Sequence, residues 1–298
     1  MSQDRFQALF LGDSIVWGQG LREEDKFSTA IVQWINEWHP QRRAYKVVKA
    51  HAGAIIGDGV SPEIDPHCHP EVPQGFPSIH QQCAAVENPE DVDLVVLNGG
   101  INDVSVRSLF NPGTTEQDLR SHMRYAFGTL FADLLATVHR KFPAKILVLG
   151  YYPILSEASS IAAVAPMASL YGVGTGGQMG WKPWKRVTRN AATFWTYSNE
   201  LMEQTITALG SDRVVFVRPG FRSENAAFAP QPWVFGMKLP QLTPEDEMVE
   251  DRKRFCLMQP DATKREFCLR SSVGHPNRWG ARAYFNAIYP VMQREYGF

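Results

Sequence analysis

Five short apolar runs, separated by longer stretches of helical periodicity, constrain this chain more than any other feature. They are residues 6–11, residues 45–50, and the runs within "VDLVVLNGG", "AKILVLGYY" and "RVVFV". The third and fourth carry no alternating polar face, the pattern of a strand covered on both sides. Between the runs a helix is expected over about 26–38, where Phe27, Ile31, Trp34 and Ile35 fall at helical spacing. A longer one runs from "TTEQDL" to "HRKF", opened by Thr and acidic capping residues. Two more are expected over about 184–209 and through "NRWGARAYFNAIYPVMQREY" near the C-terminus. Strands alternating with helices predict an α/β fold, a three-layer α/β/α sandwich with a five-stranded parallel sheet of the flavodoxin-like type. A single domain over 1–298 is expected, with insertions at about 60–78, 152–183 and 219–272.

Charge and cysteine content narrow the setting. With 30 basic and 31 acidic residues the formal net charge is −1, so no field gathers nucleic acid or an anionic membrane. No run approaches the roughly 18 apolar residues of a membrane span, and no secretory apolar core fits the first residues. A cytoplasmic location is thereby favoured, or a secreted one if the cysteines are oxidised. Cys68 lies near Cys83, and Cys256 near Cys268. Two local disulfides, free thiols, or zinc held by Cys68 and Cys83 with His67, His69 and His80 are the alternatives; the spacing matches no standard zinc module.

In a parallel sheet the ligand site lies beyond the carboxyl ends of the strands. The first strand ends in Gly12-Asp13-Ser14, the second leads to "HAGAIIGDG", and the third ends in "NGGIND". One edge thus gathers a hydroxyl, small residues with open backbone amides, and the carboxamide of Asn102. Acyl transfer needs that inventory, because a tetrahedral oxyanion must be met by preorganised donors. A serine hydroxyl also needs a base, and His275, just before the last helix, is the candidate.

On these residues the chain resembles the GDSL-type, or SGNH, serine hydrolases. Gly12-Asp13-Ser14-Ile15 is similar to the family's first block, Gly100-Ile101-Asn102-Asp103 to its G-x-N-D block, and "GHPN" at His275 to its last. The resemblance implies a carboxylic ester hydrolase, an esterase or lipase, with Ser14 as nucleophile and His275 as general base. It also implies an oxyanion hole from Ser14 N–H, the Asn102 side chain and a glycine amide, Gly53 or alternatively Gly57. Asp13, Gly100 and Asp103 are expected to be structural. No metal or organic cofactor is required, and the expected partner is a small-molecule or lipid ester. A carbohydrate O-deacetylase and a catalytically silent carbohydrate- or lipid-binding module are the competing readings.

One position departs from the family pattern: where D-x-x-H is usual, residue 272 is serine. The acceptor that orients His275 is expected to be a carbonyl or the hydroxyl of Ser272, or else an acid such as Asp246 or Asp251 from "TPEDEMVEDRKRF". The small-residue segment 151–184 is expected to be a lid or acyl-binding wall, or an extra helix away from substrate. Phe228, Trp233 and Phe235 are expected at the rim of the site. His51 is read as a plain loop residue.

Overall fold

The computed structural model describes residues 4–57, 69–164, 181–238 and 243–298. Its centre is a parallel sheet of β1 (Asp4–Leu11), β2 (Arg42–Val48), β3 (Leu94–Leu97), β4 (Lys145–Leu149) and β5 (Val214–Val217). The strand order is β2-β1-β3-β4-β5. Every residue of β3 is buried, as its unbroken apolar run requires. β2 begins three residues earlier than its apolar pattern and ends at Val48. As an edge strand it tolerates Arg42 and Arg43, which pair in register with Asp4 and Arg5.

This order positions the site. The chain leaves β1 for β2 on one side and then crosses to β3 on the other. The carboxyl ends of β1 and β3 therefore flank the crevice at which such sheets bind ligands. Short helices follow both strands at that edge: α1 (Ser14–Trp17) after β1, and α4 (Ile101–Val104) with α5 (Val106–Phe110) after β3.

The two faces of the sheet are covered by separate helix groups. On one, α2 (Phe27–Trp38) buries Phe27, Ile31 and Ile35 as its spacing predicts. It packs on the C-terminal helix Arg278–Tyr296, with Phe27 against Tyr284 at 5.4 Å and Trp34 against Tyr289 at 5.0 Å between ring centroids. The other face carries α3 (Ile79–Ala84), α6 (Glu116–Tyr125), α7 (Phe131–Lys141) and α8 (Trp181–Leu209). The long amphipathic pattern from "TTEQDL" is continuous, but a π-helical turn over Ala126–Leu130 separates α6 from α7. Thr205 of α8 donates to the carbonyl of Phe127 in that turn, at 3.2 Å. A π-turn disturbs the regular ladder of carbonyls, and a side chain from the next helix answers one of them.

The stretch expected as an insertion at 219–272 carries secondary structure of its own among its described residues. It holds the two-residue strands β6 (Met237–Lys238) and β7 (Thr243–Pro244), then α9 (Val249–Leu257) and α10 (Ala262–Leu269). Cys256 of α9 is disulfide-bonded to Cys268 of α10, so this pair of short helices forms a stapled hairpin. The last helix, α11 (Arg278–Tyr296), starts at Asn277, whose side chain accepts from the amides of Trp279 and Gly280.

Cys83 is a buried free thiol, not half of a second disulfide, and burial raises its pKa. The zinc alternative finds no cluster among the described residues. His69 stacks on Phe255, and His80 faces Asp133 at 3.4 Å; His67 and Cys68 lie outside the described residues. So does the core of the proposed lid, 165–180. Among the described residues no helix is long and apolar enough to cross a membrane.

Candidate active site

Ser14 opens α1 directly after β1. Asp13 caps that helix, its Oδ1 accepting from Ile15 N–H at 2.9 Å, while the Tyr151 hydroxyl donates to Oδ2 at 3.4 Å. Desolvation raises the Asp13 pKa to about 7. Its carboxylate is committed to the turn and not to the Ser14 hydroxyl. The turn is also held from α3: Gly12 exchanges two hydrogen bonds with the side chain of Gln82.

His275 reaches Ser14 across 261 residues of sequence: Nε2 stands 2.7 Å from Oγ. The loop bearing it is fixed on several sides. Phe235 N–H donates to the His275 carbonyl at 2.7 Å, Gly274 N–H to the Phe235 carbonyl at 2.8 Å, and the Tyr152 hydroxyl to the Gly274 carbonyl at 2.9 Å. This explains why the aromatic rim expectation is wrong. Trp233 and Phe235 stitch the back of the histidine loop, and neither they nor Phe228 line the cleft in which Ser14 sits. Trp233 instead packs on Phe221, at 5.4 Å.

Ser14, Gly53, Asn102 and His275 line one cleft. Gly53 has φ +77°, and a Cβ there would stand 2.6 Å from the amide nitrogen of Gln74, so only glycine fits. No described protein acceptor takes the N–H of Ser14 or of Gly53. Asn102 donates one Nδ2 hydrogen to the Ala54 carbonyl at 2.9 Å, which fixes its amide and leaves the second hydrogen for a ligand. Gly57 does not line the cleft; its amide and that of Ile56 serve the Asp103 carboxylate. Burial raises Asp103 to about 6, and its carboxylate accepts from the backbone of the loop, while Gly100 stands at the N-terminus of α4. His51 is buried with its ring nitrogens facing the carbonyls of Ala52 and Pro77, a structural position.

The rest of the cleft is mainly apolar, walled by Ile101, Val106, Phe110, Ile154, Phe267 and Val273. Tyr152 and Ile154 come from the start of the small-residue segment, so its described part does form a wall. A wider groove adjoins it, sharing Pro73, Asn102, Val106 and Phe267 with the cleft. Phe267, on α10, stands between the two.

The residue that orients His275 was open in the sequence. Nδ1 is buried, and no acceptor meets it with hydrogen-bonding geometry. The carbonyls of Ser272 and Ser271 are near enough to favour the charged ring. Desolvation outweighs them and lowers the His275 pKa to about 4, so the imidazole is neutral at pH 7. Asp251 is exposed and plays no part. Asp246 is buried behind the loop, where the Ser272 hydroxyl donates to its Oδ2.

Behind Ser272 lies a set of charges of which the sequence pointed only to Asp246. Arg252 is fully buried and grips Asp246 with Nη1–Oδ1 at 2.7 Å and Nη2–Oδ2 at 2.8 Å. It also donates to the Leu269 carbonyl at 2.8 Å and faces Glu71 Oε2 at 3.4 Å. Glu71 in turn accepts from Trp17 Nε1 at 2.8 Å and from Gln19 Nε2 at 3.0 Å. No motif marks Glu71 or Arg252; only the serine at 272, in place of an acid, signals that something else fills the position.

No protein-family model matches the chain, and no curated protein matches it. Among solved structures, an extracellular lipase from Streptomyces rimosus is similar at 16% identity, with a TM-score of 0.51, over 97% of this chain and 99% of that one. Phospholipase A1 from Streptomyces albidoflavus is similar at 14% identity, with a TM-score of 0.53, over 99% of this chain and all of that one. At such identities the likeness is one of fold. The chain has the three-layer fold of the SGNH-type hydrolases, with the strands and helices expected of it.

Proposed function

We propose that this chain is a serine esterase acting on esters with an apolar acyl group. One observation carries the reading: the 2.7 Å contact between His275 Nε2 and Ser14 Oγ, made in a cleft that Gly53 and Asn102 also line. A neutral imidazole with its proton on Nδ1 accepts the Ser14 proton at Nε2 as Oγ attacks the ester carbonyl. The carbonyl oxygen then gains negative charge. Ser14 N–H, Gly53 N–H and the second Nδ2 hydrogen of Asn102 stabilise it, each such donor typically supplying about 10²–10³ in rate. The C–O bond to the alcohol breaks, and His275 returns its proton to the departing oxygen. Water, deprotonated by His275, attacks the acyl-enzyme by the same route and restores Ser14.

The apolar wall supports an acyl chain over a polar sugar ring in the pocket. The test is labelling by a fluorophosphonate together with turnover of a p-nitrophenyl ester series. Wild type is expected to label and turn over, Ser14→Ala to do neither, and Asn102→Ala to lose about 10²–10³ in kcat with little change in KM. Labelling that persists in Ser14→Ala overturns the assignment of the nucleophile. Activity confined to acetyl esters favours the carbohydrate O-deacetylase, and no labelling or turnover at all in wild type leaves the binding module.

A further inference from the structure

Asp246, Arg252 and Glu71 are all buried to within a few per cent of complete. Placing three charged side chains out of water is costly, and replacement of such groups by well-packed apolar residues is often neutral or stabilising. Stability alone is therefore a weak account of them. Their connections are more specific than stability demands. At one end Glu71 binds the segment that carries Ser14: besides Trp17 and Gln19, it accepts from Gly20 N–H at 3.1 Å. At the other end Asp246 binds the segment that carries His275, through Ser272. Arg252 joins the two carboxylates. Asp246 is further fixed by Met248 N–H at 2.9 Å, so both its oxygens are fully committed. The two segments are also pressed together directly. A Cβ on Gly20 would stand 2.7 Å from Cβ of Ser272 and 2.9 Å from Cβ of Asp246.

We propose that Glu71, Arg252, Asp246 and Ser272 form a buried positioning relay that sets the Ser14–His275 contact, with Asp246 acting through Ser272 in the place where a direct carboxylate partner of the histidine is usual. The proposal rests on the catalytic reading of Ser14 and His275. Asp246 makes no hydrogen bond to the imidazole; it acts by holding the Ser272 side chain, and with it the peptide whose carbonyl accepts from the backbone N–H of His275 at 2.9 Å. The charged groups facing His275 are Arg252 and Asp246, which oppose each other, and those facing Glu71 are Arg252 and Lys26. With Asp246 neutralised, Arg252 is left to disfavour the imidazolium.

The experiment measures kcat and KM for a p-nitrophenyl ester from about pH 3 to pH 9, so that the acid limb falls inside the range, with Ser14→Ala as the control for the catalytic reading. Ser272→Ala removes the link and leaves every charge in place; it is expected to lower kcat about tenfold with KM unchanged. Asp246→Asn is expected to lower kcat by about 10²-fold, the scale of a misplacement of about 1 Å, and to move the acid limb of the profile downward. Ser272→Asp added to Asp246→Asn returns a carboxylate to face Arg252, and kcat is expected to recover. The relay is overturned if Ser272→Ala and Asp246→Asn keep the wild-type kcat and acid limb while Ser14→Ala is inert. It is overturned equally if activity falls only with the folded fraction and the added aspartate rescues nothing. Should Asp246→Asn not fold, Ser272→Ala decides alone. An active Ser14→Ala instead removes the catalytic reading beneath it.

Discussion

The side chain of Gln82 and the backbone of Gly12 bind each other reciprocally: Gly12 N–H donates to Oε1 at 2.9 Å, and Nε2 donates to the Gly12 carbonyl at 3.0 Å. All of these groups are buried, two residues before the candidate nucleophile. The turn that presents Ser14 is thus closed by a residue of α3, from a part of the sequence with no catalytic motif.

Gln82→Leu keeps the bulk and deletes both bonds, leaving a buried donor and acceptor unpaired. Each such group costs about 1–3 kcal/mol, so the variant is expected to lose about 2–6 kcal/mol in urea unfolding. Fluorophosphonate labelling of the folded variant is expected to slow as well, because the Ser14 turn loses its clamp.

The pH profile of turnover reports His275. With its pKa lowered from 6.5 to about 4 by burial, the ring remains a neutral base in mildly acidic solution. The acid limb of kcat/KM is expected near pH 4, against about 6.5 for an ordinary histidine, in a stopped-time assay across pH 3.5–8.

Stability follows the same shifts with opposite signs. Between about pH 4 and 6.5 the unfolded chain protonates His275 and the folded chain does not, so this group makes stability fall as pH drops through that window. Asp13 runs the other way, because its pKa is raised from 3.8 to about 7. Its contribution is fully present below about pH 4 and fades as pH rises toward 7. Asp13→Asn preserves the capping oxygen and removes the titration. Urea unfolding at stepped pH is expected to give a shallower decline between pH 4 and 7 for the variant than for wild type.

Phe267 is 37% exposed and separates the cleft from the outer groove. On the proposed reading its ring offers apolar contact to a bound acyl group. Phe267→Ala is expected to raise KM for medium-chain p-nitrophenyl esters about tenfold with kcat nearly unchanged, the signature of lost uniform binding.

The disulfide between Cys256 and Cys268 closes a loop of sequence separation 12. Removing it by Cys256→Ser with Cys268→Ser is expected to cost about 3 kcal/mol on loop entropy. Because Arg252 and Phe267 ride on the same hairpin, the variant is also expected to lose activity at temperatures below its unfolding midpoint. Thermal melts and assays run in parallel check both.

The sheet was legible because β3 and β4 are covered on both faces, and burial of that kind leaves an unbroken apolar string. Ser14 and Asn102 were legible as candidates because chemistry in such folds gathers at strand ends, and His275 because a serine hydroxyl needs a base and "GHPN" stands just before the last helix. Glu71 and Arg252 were not. A buried charge has the same letter as a solvated one, and the contacts that justify it join residues 71, 246 and 252, far apart or in unlike elements. The aromatics at 228, 233 and 235 misled for a related reason: following a strand's carboxyl end does not say on which side of the next loop a ring will turn. The π-turn at Ala126–Leu130 was invisible because helical periodicity continues on both sides of it.

The partners in the 2.7 Å contact lie near opposite ends of the chain, and the strand that leads to Ser14 packs its Phe6 against Tyr296 at 5.3 Å. During synthesis Ser14 leaves the ribosome 261 residues ahead of His275. On the proposed reading the growing polypeptide carries an inert hydroxyl until the helix that follows His275 has docked.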